Sequence, residues 1–149
     1  MSCYVTFGGY RCRKRVARHI VKWFLEYRKL SRFNTFVHII DKRLWGRKMD
    51  GCIHTIDQLK KPRFFEIEIE NRLSLDEYIT TLIHELIHFE QRLRGEHQVS
   101  FCPRTTKMIN KWHGKELPPL DYCEEPWEID AYQREKVYFA KYKEYATNH

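Results

Sequence analysis

Five consecutive residues, His84-Glu85-Leu86-Ile87-His88, carry the strongest chemical signal in the chain. Two histidines four positions apart fall on one face of a helix, about one turn from each other. At that spacing two imidazole nitrogens can converge on one Zn²⁺ at roughly 2.0–2.1 Å. Glu85, beside the first histidine, can then take a proton from a water activated by the metal. The chemistry implied is metal-assisted hydrolysis. The competing reading is a pair of half-buried core histidines, but burying two imidazoles and a carboxylate without a metal is costly.

The element that must position these groups is a helix, and the flanking sequence predicts one. Ser74 followed by Glu77 reads as a capping box at its start. Tyr78, Ile79, Leu82, Ile83, Leu86, Phe89 and Leu93 recur at three- and four-residue steps, the mark of a well-buried helix. Arg94-Gly95 is a stop signal. His84 and His88 lie beside the apolar stripe, so they are expected to be partly buried.

A catalytic zinc needs a third protein ligand plus an open position. His97 follows the helix so closely that the chain would have to fold straight back to offer it. His113, followed by Gly114, is one candidate, and Glu128, early on a second helix, is another. Glu124, Glu125 and Asp130 are nearby rivals. Read alone, Glu128 is equally a dipole-stabilising acid in a first helical turn.

Resemblance to known families separates these options. HELIH followed by a helix bearing Glu128-Ile129-Asp130-Ala131 resembles the gluzincin arrangement, in which the third ligand is a Glu on the next helix and a small residue three positions on lets the helices pack closely. The chain is similar to compact peptidases of the ImmA/IrrE type and to small metallopeptidases of bacteriophage genomes. The latter carry a W-x-GK…Y…PWE-x-(E/D)A stretch, here Trp112-His113-Gly114-Lys115, Tyr122 and Pro126-Trp127-Glu128-Ile129-Asp130-Ala131. The resemblance covers about residues 63–135 and implies His84, His88 and Glu128 as metal ligands and Glu85 as general base. Tyr122, Tyr132 and His113 are the candidates to stabilise an oxyanion. A metzincin completion fails, because Gln91 and Arg94 stand where Gly and His are required. His113-Gly114 resembles the His-Gly of SprT-like peptidases and keeps His113 as the alternative third ligand. Thermolysin-like enzymes place an Asp four residues after the ligand Glu to orient a histidine; here that position is Tyr132, so support for the histidines must come from elsewhere.

The rest of the chain predicts one α+β domain spanning residues 1–149: an N-terminal helix, a small three-stranded sheet, and the HExxH helix packed against a C-terminal helix, a minimal zincin. Hydrophobic content of 42% argues for a folded chain rather than a disordered one. Residues 1–11 read as a loop. From Cys12 to about Leu30, Val16, Ile20, Trp23, Phe24 and Tyr27 mark one apolar face opposite a basic one, a surface helix covering a sheet in preference to a DNA-binding helix. Strands are expected over 33–41, more weakly over 50–56, and most clearly in RFFEIEIEN after Pro62, with a turn at 41–48. Alternation of Phe65, Ile67 and Ile69 with Glu66, Glu68 and Glu70 predicts one buried face and one acidic face, and a strand edge to which a substrate could pair. Residues 97–125 read as loop or short helix, with a couple of helical turns in 105–112. A long helix begins at Pro126.

The formal net charge of +7 permits contact with nucleic acid or acidic partners without demanding it. Cys3, Cys12, Cys52, Cys102 and Cys123 form no CxxC pair and leave one unpaired, which favours reduced thiols and a cytoplasmic setting (host cytoplasm for a phage protein). No apolar run approaches the ~20 residues that span a membrane, and the first residues lack a secretory signal's apolar core. The expected function is zinc-dependent hydrolysis of a protein or peptide substrate. The alternatives are an SprT-like DNA-associated protease and a non-catalytic zinc-binding regulatory domain.

Overall fold

The computed structural model describes residues 3–9, 13–44, 50–57 and 61–148. Over these residues the chain is α+β, with three α-helices and two sheets. Strand β1 (Cys3–Gly9), helix α1 (Lys14–Tyr27), strands β2 (Thr35–Lys42), β3 (Gly51–Thr55) and β4 (Phe64–Glu70), and helix α2 (Leu75–Leu93) form the first part. Strands β5 (His97–Cys102), β6 (Lys107–Trp112) and β7 (Lys115–Leu117) follow, then a 3-10 turn (Tyr122–Glu124) and helix α3 (Pro126–Asn148).

The first sheet has four strands in the order β1-β2-β4-β3, not three. The extra strand is β1, in the segment expected to be a loop. It runs parallel to β2 in full register from Cys3↔Thr35 to Gly9↔Asp41. Tyr4 points to solvent while Cys3, Val5 and Phe7 pack on the core, the two-residue period of a half-buried edge strand. β3 is antiparallel to β4 and forms the other edge. β4 is therefore flanked on both sides and has no free edge to offer a substrate; that edge belongs to β3.

The acidic face expected on β4 is not a solvated one. Glu68 and Glu70 are buried. Glu70 accepts a hydrogen bond from the Leu44 backbone N–H at 3.0 Å, and Glu68 is engaged by Lys42, Cys52 and His54. Asp41 and Lys42, expected to open a turn, still belong to β2; residues 45–49, which hold the second half of that expected turn, lie outside the described residues, as does Cys12.

The other sequence error is in 97–125. β5, β6 and β7 make an antiparallel meander where loop and helical turns were expected. Its alternation is masked by lysines and other polar residues on a mostly exposed sheet.

The helices agree better with their sequence signals. In α2 the Ser74 hydroxyl accepts from the Glu77 N–H and the Glu77 carboxylate accepts from the Ser74 N–H, so the capping box is complete. Gly95, at φ +76°, turns the chain after the Arg94 cap. α1 ends at Tyr27, short of Leu30, because Lys29 adopts a left-handed φ of 58°. The core joins Ile20 and Phe24 of α1, Ile39 and Ile67 of the sheet, and Leu82, Leu86 and Phe89 of α2. The Phe65 and Phe89 rings meet edge-on at 4.8 Å. α3 packs along α2 with Ala131 fully buried, and its Tyr138 and Tyr142 rings reach α1. Among the described residues no helix is long and apolar enough to cross a membrane.

Candidate metal centre

α2 turns one stripe of side chains towards α3 and β3, and that stripe contains Thr81, His84, Glu85, His88 and Arg92. The intervals of three and four residues put them all on one side. They line a cleft of 710 Å³, closed on the other sides by Gly51–Ile53 of β3 and by Tyr122, Trp127, Glu128, Tyr132 and Glu135. That is room for a peptide-sized ligand. β3 comes so close that a side chain at Gly51 would lie 2.8 Å from Thr81 Cγ2 and 3.3 Å from Glu85 Cγ. Only glycine fits there without displacing the helix face that carries Glu85.

His84, His88 and Glu128 converge on one point. His84 Nε2 is 3.1 Å from His88 Nε2 and 3.1 Å from Glu128 Oε1, and His88 Nε2 is 3.1 Å from Glu128 Oε2. A tetrahedral zinc with bonds of about 2.0–2.1 Å has ligand-to-ligand edges of about 3.3–3.4 Å. The two ring nitrogens and the carboxylate thus lie close to that spacing, each histidine facing a different Glu128 oxygen.

Hydrogen bonding on the far side of each ring fixes what the near side presents. Gln91 donates through Nε2 to the Trp127 carbonyl and to Asp130 Oδ2, both at 2.9 Å, so its Oε1 is the acceptor facing His88 Nδ1 at 2.8 Å. His88 must therefore carry a proton on Nδ1, which leaves a lone pair on Nε2 when the ring is neutral. Glu135 Oε2 lies 2.6 Å from His84 Nδ1 and imposes the same tautomer there. Two imidazole lone pairs and a carboxylate then meet at one place. Among them, a proton can serve one or two acceptors; a cation at the centre serves all three. The donor set fits a divalent transition metal.

Without a cation, a proton on His84 does part of its work. Burial opposes a charge on His84, but hydrogen bonds to Glu128 and Glu135 outweigh it and push its pKa up to about 9 in the metal-free protein. Burial would likewise raise Glu128, yet His84, His88 and Tyr122 hold it well below the usual carboxylate range. Glu85, which bonds to none of them, is raised by burial, an effect partly offset by the nearby histidines. A carboxyl with raised affinity for protons is what a general base at neutral pH requires.

Around this centre, the Tyr122 hydroxyl donates to Glu128 Oε1 at 2.8 Å and lies 3.1 Å from the Tyr132 hydroxyl. Burial and these two bonds raise the Tyr122 pKa and keep the phenol protonated. With its one proton committed to Glu128, Tyr122 accepts from Tyr132. The Tyr132 ring also rests against His84, centroids 4.8 Å apart.

The structure brings together His84, Glu85, His88, Glu128, Tyr122 and Tyr132, and does not bring His113 to them. His113 is exposed at the β6–β7 turn with φ 50°, its backbone N–H bonded to Glu96. The chain does fold straight back after α2, so His97 is near the site, but as a wall. It stacks on Trp127 with centroids 4.0 Å apart, bonds Asn110, and is held neutral by burial at a pKa of about 4. Glu124 is exposed in the 3-10 turn, and Asp130 is taken up by Gln91 and Arg134.

Sequence reasoning missed Glu135 and Gln91. Each had a signal: Glu135 is seven residues after Glu128, on the same face of α3, and Gln91 is three after His88. A second donor group also went unread. Cys52, His54 and Glu68, on β3 and β4, bring three ligand atoms together on the sheet. In both groups the residue types could hold a metal ion.

Comparisons with protein-family models, curated proteins and solved structures give no match to this chain. The functional reading therefore stands on the geometry of the site.

Proposed function

We propose that the protein is a zinc-dependent peptidase of gluzincin-like organisation, with His84, His88 and Glu128 holding the metal and Glu85 acting as general base. The observation that carries this reading is the convergence of three electron-pair donors, each ring fixed from behind by Glu135 or Gln91, beside a carboxyl of raised pKa in an open cleft. When bound, zinc supplies Lewis acidity and lowers the pKa of water.

The remaining work falls to side chains. Glu85 takes a proton from water and passes it to the leaving amine. Tyr132 is the better placed donor for a developing oxyanion, because its bond to a neutral phenol is easier to exchange than Tyr122's bond to a carboxylate. Tyr122 instead fixes the orientation of Glu128. The free edge of β3, at Gly51–Ile53, offers backbone groups to an extended substrate, the role expected of β4 from the sequence. The regulatory alternative is separated by one experiment: peptide-library turnover by the zinc-loaded protein, with and without chelator. Chelator-sensitive cleavage that is lost in Glu85→Gln supports the enzyme; zinc binding with no cleavage in any library leaves a regulatory domain.

A further inference from the structure

Arg92 is the one Lys or Arg among the described residues that line the cleft. It lies one turn beyond His88 on the stripe that carries Glu85. Its Nε is buried with no hydrogen-bond partner among the described residues. Arg134, whose Nε is likewise unbonded, has its terminal nitrogens held by Glu90, Tyr138 and Asp130. No described residue ties down the guanidinium of Arg92 in that way. Glu85 and Glu128 act on it only through space, while burial disfavours its charge. Arg92 is half-buried as a residue, and a guanidinium whose Nε is buried and unbonded is costly unless something completes it, since it is a rigid fork of donors suited to a carboxylate.

The surroundings limit what that partner is. Asp50, Glu85, Glu128 and Glu135 line the same cleft. A polyanion such as nucleic acid would be repelled, whereas a single carboxylate can pair with one guanidinium. The position limits where the carboxylate lies on a substrate. One helical turn is about 5.4 Å, and an arginine on a helix leans back over the preceding turn, here towards His88. An extended chain advances about 3.3–3.6 Å per residue.

We infer that Arg92 is a carboxylate-recognition subsite, selecting peptides that carry a carboxylate within one or two residues of the bond to be cut. The carboxylate is either a free C-terminus or an acidic side chain. This rests on the peptidase reading for its meaning in turnover, but the binding it describes is measurable without turnover.

The test titrates the zinc-loaded Glu85→Gln protein calorimetrically with three matched N-acetylated tripeptides: a neutral amide, the same peptide as a free acid, and an amide with Glu in place of one residue. The expected result is about tenfold or greater tighter binding of a carboxylate-bearing peptide than of the neutral amide. A gain for the free acid alone identifies the C-terminus; a gain for the Glu amide identifies a side chain. Adding Arg92→Gln should erase the gain, and Arg92→Lys, which keeps the charge and loses the fork, should retain part of it. Equal binding of all three peptides overturns the inference. So does an undiminished gain in Arg92→Gln, because the carboxylate then goes to the metal. Should Arg92→Gln fail to fold, the acid-versus-amide comparison and Arg92→Lys still decide. Wild-type cleavage of the same peptides separates the two claims. Cleavage of all three at equal rates, with equal binding, removes the Arg92 subsite and leaves the peptidase; no cleavage with a carboxylate-dependent gain in binding does the reverse.

Discussion

Two groups of side chains in this molecule have the residue types of a metal site, and they are built on opposite principles. In the sheet, His54 Nε2 and Glu68 Oε1 are 2.6 Å apart, a hydrogen-bond distance, with Cys52 Sγ 3.4 Å from each. Lys42 already brings a positive charge to the other carboxylate oxygen, and half of the His54 side chain is in solvent. Donors there alternate with acceptors, and the group is complete as it stands. Between α2 and α3, Glu135 and Gln91 take up the far nitrogens of the two rings, so that both Nε2 atoms and the Glu128 carboxylate face one another at 3.1 Å with only the proton held by His84 to share. Residue type is shared by the two groups; the placement of protons is not. A site prepared for a cation is recognised by what its own hydrogen bonds leave unsatisfied.

The contrast can be broken or sharpened by experiment. The largest effect is expected at Glu85, where Glu85→Gln should keep a full complement of zinc and lower hydrolysis by about 10²–10⁴-fold or more. A Glu85→Gln protein as active as the parent would refute the mechanism. Next comes metal content after dialysis: His84→Ala and Glu128→Ala should lose the zinc, while His113→Ala, Cys52→Ser and His54→Ala should each retain it. Elemental analysis of the five proteins reads this directly, and loss of zinc from the Cys52 or His54 variants would reverse the assignment of the two groups. Smaller again is Glu135→Gln, expected to weaken zinc about 10–100-fold in a chelator competition because the His84 ring loses its orienting acceptor; unchanged affinity would show that the ring needs no such support.

The smallest effect belongs to the sheet. Burial would raise Glu68, but Lys42, His54 and Cys52 outweigh it and hold its pKa at about 2, below the ordinary carboxylate value. A depressed pKa contributes stability that is present above the unfolded value and is lost as pH falls through about 2. The stability difference between the parent and Glu68→Gln should thus narrow from pH 5 towards pH 2, as followed by thermal unfolding. A difference independent of pH over that range would mean that Glu68 acts by packing rather than charge.

What could be read from the sequence follows from how each signal is written. α2 announces itself through Ser74, Glu77 and an apolar stripe, because a long helix repeats its pattern often enough to be unmistakable. His84, Glu85 and His88 came with it. Glu128 needed the analogy to gluzincins, since a single acid in a first helical turn has no period of its own. β1 was hidden because five alternating residues ending in Gly8-Gly9 look like a loop until Thr35–Asp41 is known to run beside them. The buried state of Glu68 and Glu70 was illegible for a related reason: alternation tells which residues share a face, and not whether another segment covers it. Glu135 and Gln91 lay within reach, but the thermolysin-like spacing points four residues past Glu128, where Tyr132 stands, and the acceptor is seven past it.

The stack of His97 on Trp127 joins the first residue after the α2 turn to the residue beside Glu128. The 29 residues between them are bypassed by that contact. The meander among them includes a solvent-facing turn between β5 and β6 at Thr105–Thr106, with Thr106 at φ 55°. Chain length there is uncoupled from the spacing of the ligands, because lengthening an exposed turn costs little closure entropy and leaves the stack in place. A fluorophore-bearing or affinity segment spliced at that turn would report on the protein without shifting Glu128 from the two histidines.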